Sequence, residues 1–296
     1  MYPGTQFYGI KEIFLSHAKL PLCLPFPTAV LHGWQRVTHE FETSTNPPEI
    51  WVWSPRIAAD LEKFYPRERI RVVGSFFCYL VKSIPNHFPS EQRKGSVCIP
   101  PHSSHLAKSI YSTEVFAKSL NDLSDEYKPI RVMLYYLDMN EQVVHTYKKY
   151  GFQVVSNGEL YDINFLKNFF KNVQDKKYCI FSDLGSGVLY SLYLNLIPYH
   201  LNLPTEVLNL GNKYINDKSI FDSMNFDQDF LKLINNPSNI KAEMGESYLL
   251  SRNEMRLLIL KNYFTWRFMK TFTRRLAGAF LRYFKLRMDR LNLWTR

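Results

Sequence analysis

Two short turns hold most of the side chains in this chain that could do chemistry on a ligand. The first is PPHSSH, residues 100–105, and the second is SDLGSG, residues 182–187. Each turn follows a short apolar run that predicts a buried strand, and the second leads directly into a predicted helix. A plain connector needs Gly, Asn or Asp, and imidazoles add nothing to a turn, so His102 and His105 point to ligand contact; the alternative is a rigid loop with solvated histidines.

The SDLGSG turn predicts an anion site. Gly185 and Gly187 let the backbone come close to a ligand, and Ser186 lies near the first turn of the following helix. The free amides and the positive end of the helix dipole at such a place favour a phosphate. Further donors to the same anion are expected from the other turn: His102, Ser103 and Ser104.

The elements around these turns follow an alternating pattern of strands and helices from about residue 49 onward. This pattern predicts an α/β fold with parallel sheets and helices on both faces. A polar, basic stretch at 86–95 divides it into two units. The strands of the second unit end at PPHSSH, YYLD (135–138), SNGE (156–159) and SDLGSG, and ligands of open α/β sheets bind at the carboxyl ends of strands.

The usual nucleotide fingerprints are missing from the sequence. No GxGxxG follows the first strand, and GxxxxGK[ST] occurs nowhere in the chain. A dinucleotide dehydrogenase and a P-loop enzyme are therefore not expected. A zinc site at His102 and His105 is not expected either, since two histidines fall short of the four ligands of a structural site. Asp138 is interpreted as a helix cap.

The second half of the chain resembles the donor-binding domain of GT-B glycosyltransferases. It looks most like bacterial enzymes that use CMP-activated acidic sugars (sialic acid, related nonulosonic acids or Kdo) in capsule and lipopolysaccharide synthesis. The resemblance spans about residues 27–205. It rests on PPHSSH, on FSDLGSGVLYSLYLNLIPYHL (181–201) and on AVLHGWQ (29–35). The His-Pro pair of polysialyltransferase-like enzymes stands here as Pro101-His102, and their acidic-residue-plus-glycine motif is not evident.

The resemblance implies two Rossmann-like domains of GT-B type. Residues 1–90 would form the acceptor side and 91–205 the nucleotide-binding domain. Residues 206–296 would be an irregular segment and a long basic amphipathic helix. The reaction would move an acidic sugar from a CMP-sugar to a lipid-linked cell-surface glycan, with inversion. No metal or other cofactor is expected, because one phosphate needs no shielding.

Two alternatives stay open. One is a GT-B transferase with a UDP- or GDP-hexose donor, which would be expected to place a Lys or Arg close to SDLGSG. The other is a non-enzymatic membrane-docking α/β adaptor. Asp227-Gln228-Asp229 matches the DxD motif of metal-dependent glycosyltransferases, but its position before an apolar run favours helix capping.

The resemblance also implies roles for single residues. The nucleotide phosphate would be held by His102, Ser103, Ser182 and Ser186, with Ser104, Asp183 and Gly185 completing the donor-binding set. The base and ribose would lie near Tyr136, Asn157, Gly158 and Glu159. His102 would also stabilise the leaving phosphate. The general base is expected in the first unit, at His32 first and then at Glu40 or His39.

The end of the chain carries most of the net charge. Residues 261–296 contain ten Lys or Arg residues and one acid, so this segment holds +9 of the total +10. Helical periodicity from Trp266 to Leu286 predicts one apolar side with Phe268, Met269, Phe272, Leu276, Phe280 and Tyr283. The basic residues fall opposite: Arg267, Lys270, Arg274, Arg282 and Lys285, with Arg275 near the boundary. This pattern predicts binding to an anionic membrane surface, and the alternative is a helix packed on the body of the protein with its basic face in water.

These features set the expected location and partners. The first residues lack a signal-peptide pattern, and three prolines interrupt the apolar run at 20–31. We therefore expect a cytoplasmic protein at the inner face of the cytoplasmic membrane. The rest of the chain is nearly neutral and carries no nucleic-acid motif, so nucleic acid is not an expected partner.

Overall fold

The structure is a computed structural model that describes residues 2–34, 47–105, 107–211 and 232–293. It has the α/β class that the sequence predicts, with helices packed around parallel sheets. The division predicted near residue 90 falls between the two sheets, and the one at 205 falls after the last strand of the second sheet.

The first sheet has three short parallel strands in the order β1-β2-β3. These are β1 (Ala29–Val30), β2 (Ile50–Val52) and β3 (Ile70–Val72). The helices of this part of the chain are α1 (Ile10–His17), α2 (Pro55–Leu61) and α3 (Phe76–Ser83). Helix α2 begins at a proline, which has no amide hydrogen to leave unpaired, and Ser54 caps it by accepting from the Ile57 amide.

The second sheet has five parallel strands in the order β7-β6-β4-β8-β9. Its strands are β4 (Ser96–Ile99), β6 (Ile130–Met133), β7 (Gln153–Val155), β8 (Tyr178–Phe181) and β9 (Ile197–His200). Its helices are α4 (Thr113–Asn121), α5 (Glu141–Lys149), α6 (Phe165–Val173) and α7 (Ser186–Tyr193). The strand order reverses between β4 and β8, and such a reversal opens a crevice at the carboxyl ends of the two strands.

One strand pair departs from the sequence expectation. The sequence predicts a helix across residues 110–127, whereas Ala107–Ile110 forms β5 and pairs antiparallel with β10 (Glu206–Asn209). Helix α4 begins only at Thr113, where the Ser112 hydroxyl accepts from the Val115 amide. The pairing partner lies almost 100 residues further along the chain, so local periodicity does not reveal it.

The C-terminal helices return to the first sheet. They are α8 (Pro237–Glu243), α9 (Arg252–Tyr263) and α10 (Trp266–Leu293). The sequence SRNE (251–254) predicts a capping box of Ser251 with Glu254, and this box is present at the start of α9. The Tyr263 hydroxyl donates to the Pro25 carbonyl at 2.6 Å, and the Asn262 amide donates to Glu49 at 3.0 Å. Helix α9 is therefore part of the first unit's packing.

A single large core joins the first sheet to one face of the second. The ring of Tyr190 on α7 stacks on Phe77 of α3, with centroids 4.3 Å apart, and lies 5.8 Å from Trp53. A smaller core around Phe116 and Tyr147 covers the other face of the second sheet. The loops of both units are thus carried on one packed body.

Candidate functional site

A cavity of about 290 Å³ lies where the carboxyl ends of β4 and β8 meet the loop after β1. Its polar and aromatic lining comes from both units: Tyr8, His32, Trp34, His102, Tyr135, Asn157, Phe165, Ser186 and Tyr190. Its apolar lining includes Ile99, Met133, Leu134, Leu166, Phe169 and Leu184. The predicted His32, His102, Asn157, Gly185 and Ser186 therefore share one cavity, at the strand reversal where open α/β sheets bind ligands.

His102 faces this cavity from the loop after β4. Its side chain is open to solvent on the cavity side, and a Cβ placed on Gly185 would lie 3.9 Å from its Cε1 atom. The Tyr135 ring contacts it edge-on at 5.4 Å between centroids. The protein packed around the imidazole lowers its pKa below 6.5, while the Asp138 carboxylate acts in the opposite direction. His102 is therefore mainly neutral at pH 7.

Asp138 holds the His102 loop in place. Its Oδ2 accepts from the Ser103 amide at 2.8 Å, which ties the loop after β4 to the turn after β6. The expected role as cap of the next helix is wrong, because the Asn140 side chain accepts from the Val143 amide at the start of α5. A carboxylate that accepts a backbone N–H fixes the loop strongly, since such bonds are charge-assisted.

Ser186 connects the two units at the first residue of α7. Its Oγ accepts from the Trp34 backbone amide at 2.8 Å. Gly33 lies against the same hydroxyl, because a Cβ there would sit 3.2 Å from Ser186 Oγ. The indole of Trp34 donates to Glu243 at 2.9 Å, and Arg56 pairs with the same carboxylate at 2.6 Å. The hydroxyl predicted to hold phosphate thus also holds the loop that carries His32.

His32 enters the cavity from the loop that follows β1. Its ring lies edge-on to Phe7 at 5.2 Å and 6.5 Å from the ring of Tyr8. Gly4 packs closely beneath it, since a Cβ at that position would come within 3.2 Å of Nδ1. The N-terminal segment therefore fixes the orientation of this imidazole. Glu40 and His39, the other expected bases, lie outside the described residues.

Two tyrosines that the sequence did not predict for the site lie between the two histidines: Tyr8 is beside His32, and Tyr135 is beside His102. The hydroxyls of Tyr8 and Tyr135 are 3.4 Å apart, although the residues are 127 positions apart. Burial raises the pKa of both, so both hydroxyls are protonated at neutral pH. The tyrosine expected at the site was Tyr136, whose exposed hydroxyl instead bonds His105 Nε2 at 2.9 Å.

The two serines of PPHSSH face away from this cavity. Ser103 Oγ accepts from the Ser109 amide at 3.2 Å, and Ser104 Oγ accepts from the Ala107 amide at 3.0 Å. Both line a second cavity of about 570 Å³ beside Lys108 and Asp138. The turn presents His102 to one cavity and its serines to the other, so the donors expected together are separated.

The SNGE turn contributes mainly to local structure. Asn157 is buried, donates to Met133 Sδ at 2.9 Å and accepts from Asn172 at 3.0 Å. Gly158 has φ +109°, and a Cβ there would overlap the Asp162 carboxylate. Glu159 is exposed and does not line the cavity. Of these three, Asn157 alone reaches the cavity, and its amide is already engaged.

The first two residues of SDLGSG, Ser182 and Asp183, do not line the cavity either. Ser182 is buried, its hydroxyl has no hydrogen-bond partner among the described residues, and its carbonyl oxygen lies 3.3 Å from His200 Nε2. Asp183 is exposed and, like Ser182, is not part of the lining. Gly185, Ser186 and Gly187 do line it. The ligand-facing part of the turn is therefore its second half, at the N-terminus of α7.

The cavity lining carries no Asp, Glu, Lys or Arg within the part of the chain that the structure describes. Its polar groups are two imidazoles, hydroxyls, and the backbone at the start of α7. An anion here would be held by the helix terminus and by neutral donors. In the same described residues, no three His, Cys, Asp or Glu side chains come together as a metal site. The four cysteines are free thiols.

Comparison of the chain with family models, with curated proteins and with solved structures finds no match. The site is therefore described by its own geometry: one cavity at the strand reversal, two histidines from different units, a tyrosine pair between them, and a helix N-terminus in a described lining that holds no Asp, Glu, Lys or Arg.

Proposed function

We propose that this chain is a glycosyltransferase of GT-B type that moves an acidic sugar from a CMP-sugar donor to a glycan acceptor. The observation that carries the proposal is the meeting of His32, His102 and the start of α7 in one cavity between the two units. A transferase has to position two substrates next to each other. A cleft between two α/β units does this, because side chains of both units face it. The order of the second sheet fits a Rossmann-like nucleotide domain.

The charge of the lining supports a donor with a single phosphate. A diphosphate needs a metal ion or several cations, and the described lining holds neither Lys nor Arg. One phosphate fits the amides and dipole at the N-terminus of α7 together with His102. For the same reason we propose a reaction without a metal ion.

The proposed step is displacement at the anomeric carbon. The acceptor hydroxyl forms the new bond to that carbon as the bond to the CMP phosphate oxygen breaks with its electron pair. His32, on the first unit, takes the proton of the acceptor hydroxyl as general base. His102 and the start of α7 stabilise the charge on the departing CMP. Attack from the side opposite the leaving group inverts the anomeric carbon.

The first test is nucleotide binding, measured as thermal stabilisation by CMP, UDP and GDP. CMP is expected to raise the melting temperature, because a ligand at about 100 times its Kd stabilises the fold by roughly 2.7 kcal/mol. The His102→Ala variant is expected to lose this shift, whereas His145→Ala, an exposed histidine on α5, keeps it. Stabilisation by UDP alone would show that the proposed CMP-sugar donor is wrong. If no nucleotide raises the melting temperature, the proposal that the chain is a glycosyltransferase is contradicted.

The second test is turnover with a panel of nucleotide sugars, followed by analysis of the products. Transfer from a CMP-linked acidic sugar is expected for the protein and for His145→Ala. His102→Ala and His32→Ala are expected to lose turnover while retaining the fold, measured by circular dichroism. Full activity in His102→Ala would refute the role given to that imidazole.

A further inference from the structure

Helix α10 packs on the body of the protein through only part of its circumference. Phe268 is 3% exposed and packs against Tyr263 and Phe272, with ring centroids 5.1 and 5.7 Å away. Thr271 meets the hydroxyl of Tyr2, close to Arg275. Phe268, which the periodicity places on the apolar side of the helix, therefore faces the body, because this ring fills the contact between α9 and α10.

A different set of apolar side chains on α10 faces solvent. Their exposed fractions are 77% for Trp266, 43% for Met269, 54% for Leu276 and 63% for Phe280. At roughly 100° per residue, these four residues fall within a sector of about 80° on the helix surface. We call this set the apolar strip. Phe264, just before the helix, is also exposed, at 85%.

Basic side chains border the apolar strip on the edge opposite the Phe268 contact, and the first of them, Arg267, also lies near Arg69 of the body. Arg267, Lys270 and Arg274 are exposed. They occupy a neighbouring sector of about 60° at the same helical spacing. Around the circumference the helix therefore presents the body contact, then the apolar strip, then the basic border. The segment from residue 261 onward carries a net charge of +9.

We propose that the apolar strip inserts into the interface of an anionic membrane, with the basic border against the lipid phosphates. Charge complementarity selects this occupant, because a neutral protein groove would cover the strip and gain nothing from the cations beside it. Exposed Trp and Phe beside Lys and Arg is the arrangement that interfacial helices use. None of the helices that the structure describes is long and apolar enough to cross a bilayer. This inference does not depend on the proposed catalytic activity.

The experiment is sedimentation of the full chain with vesicles of phosphatidylcholine alone and of phosphatidylcholine mixed with phosphatidylglycerol. Binding is expected only to the phosphatidylglycerol vesicles and is expected to weaken as salt is raised. The variant Arg267→Gln/Lys270→Gln/Arg274→Gln is expected to lose roughly fivefold in partitioning for each cation removed. Its matched control removes three exposed lysines elsewhere, Lys118→Gln/Lys148→Gln/Lys171→Gln, and is expected to bind like the unmodified protein.

A second variant separates insertion from simple charge attraction. Leu276→Gln/Phe280→Gln keeps every charge and good helix formers, and it is expected to lose at least tenfold in partitioning. Val115→Gln, an exposed apolar residue on α4, is its control. Equal binding to both vesicle types, no binding at low salt, or unchanged binding of the Leu276 and Phe280 variant would overturn the proposal. So would a dimer in sedimentation equilibrium that this variant dissociates, because a second copy would then cover the strip.

Discussion

The backbone amide of Trp34 donates to Ser186 Oγ at 2.8 Å, joining residues 152 positions apart. Trp34 belongs to the loop that carries His32, and Ser186 is the first residue of α7. One hydrogen bond therefore fixes the distance between a histidine of the first unit and the helix terminus of the second. Such pre-organised placement lowers the cost of bringing two reactants together.

Replacing Ser186 by Ala removes this link. We expect the free energy of unfolding to fall by about 1 kcal/mol, the usual cost of one hydrogen bond. Turnover is expected to fall by about tenfold or more, because small displacements of a positioning loop are costly. Ser191→Ala is the control, since the Ser191 hydroxyl donates to the Gly187 carbonyl within the same helix. An equal loss of turnover in both variants would contradict the positioning role.

CMP is expected to bind more tightly as the pH falls from 8 to 6. Burial lowers the pKa of His102, so the free site holds a neutral imidazole at neutral pH. A bound phosphate favours the imidazolium form of His102 and raises its pKa. Binding of CMP therefore takes up a proton, and the affinity for CMP increases as the pH falls. Calorimetry at several pH values measures the slope.

The control for this slope is His102→Gln, in which the ionisation of the CMP phosphate itself is still present. The difference between the two slopes reports the imidazole. His145→Gln is expected to keep the slope of the unmodified protein. If His102→Gln shows the same pH dependence as the unmodified protein, His102 does not contact the phosphate.

Gly245→Ala is expected to destabilise the fold by several kcal/mol. Gly245 has φ +66°, and a Cβ there would lie 1.7 Å from the Trp53 carbonyl oxygen, so backbone would have to move. Gly278→Ala in α10 meets no atom within 4 Å and is expected to raise stability by about 0.5–1 kcal/mol. Thermal unfolding measures both. A small effect of Gly245→Ala would contradict the close packing of α8 on the first sheet.

Stability is expected to fall as the pH drops below about 6.5. Burial lowers the pKa of His17, His102 and His200 in the folded protein, so the unfolded chain takes up protons first in that range. Their contribution to the free energy of unfolding is fully present above about pH 6.5 and is lost as the pH falls below that value. Glu49 and Asp175 also have lowered pKa values, but their contribution is lost only below about 4.5 and 3.8.

The two pH windows can be separated by urea unfolding at a series of pH values. The variant His17→Gln/His200→Gln is expected to show a flatter profile between pH 6.5 and 5 and an unchanged fall below 4.5. A profile that stays as steep as before in the upper window would show that these histidines do not cause it.

The sequence predicts the α/β class and the place of the site because both follow from local patterns. Alternating strands and helices imply parallel sheets, and the turns after β4 and β8 must then lie at one edge. The Ser251–Glu254 capping box is equally local and is confirmed. In contrast, the pairing of β5 with β10 depends on two segments far apart in the chain, and a short polar strand gives a weak local signal.

Side-chain direction within the turns is the part that sequence reasoning could not supply. In PPHSSH all polar side chains look equally available, yet the Asp138 carboxylate fixes the Ser103 amide, and this sends the serines to the opposite side from His102. Tyr8 gave no usable signal either. It reaches Tyr135 because its own amide donates to the Leu160 carbonyl at 2.8 Å, a contact that only the folded chain creates.

The stack of Tyr190 on Phe77 has a mechanical consequence. Tyr190 lies one turn after Ser186 on the same helix, so the anion-facing end of α7 is anchored through this ring in the core that both sheets share. A wide hinge opening between the two sheets would have to pull these rings apart and expose them to water. Under the proposed function, donor and acceptor are therefore expected to enter and leave through movements of the surface turns, while the core beneath the cavity keeps its shape.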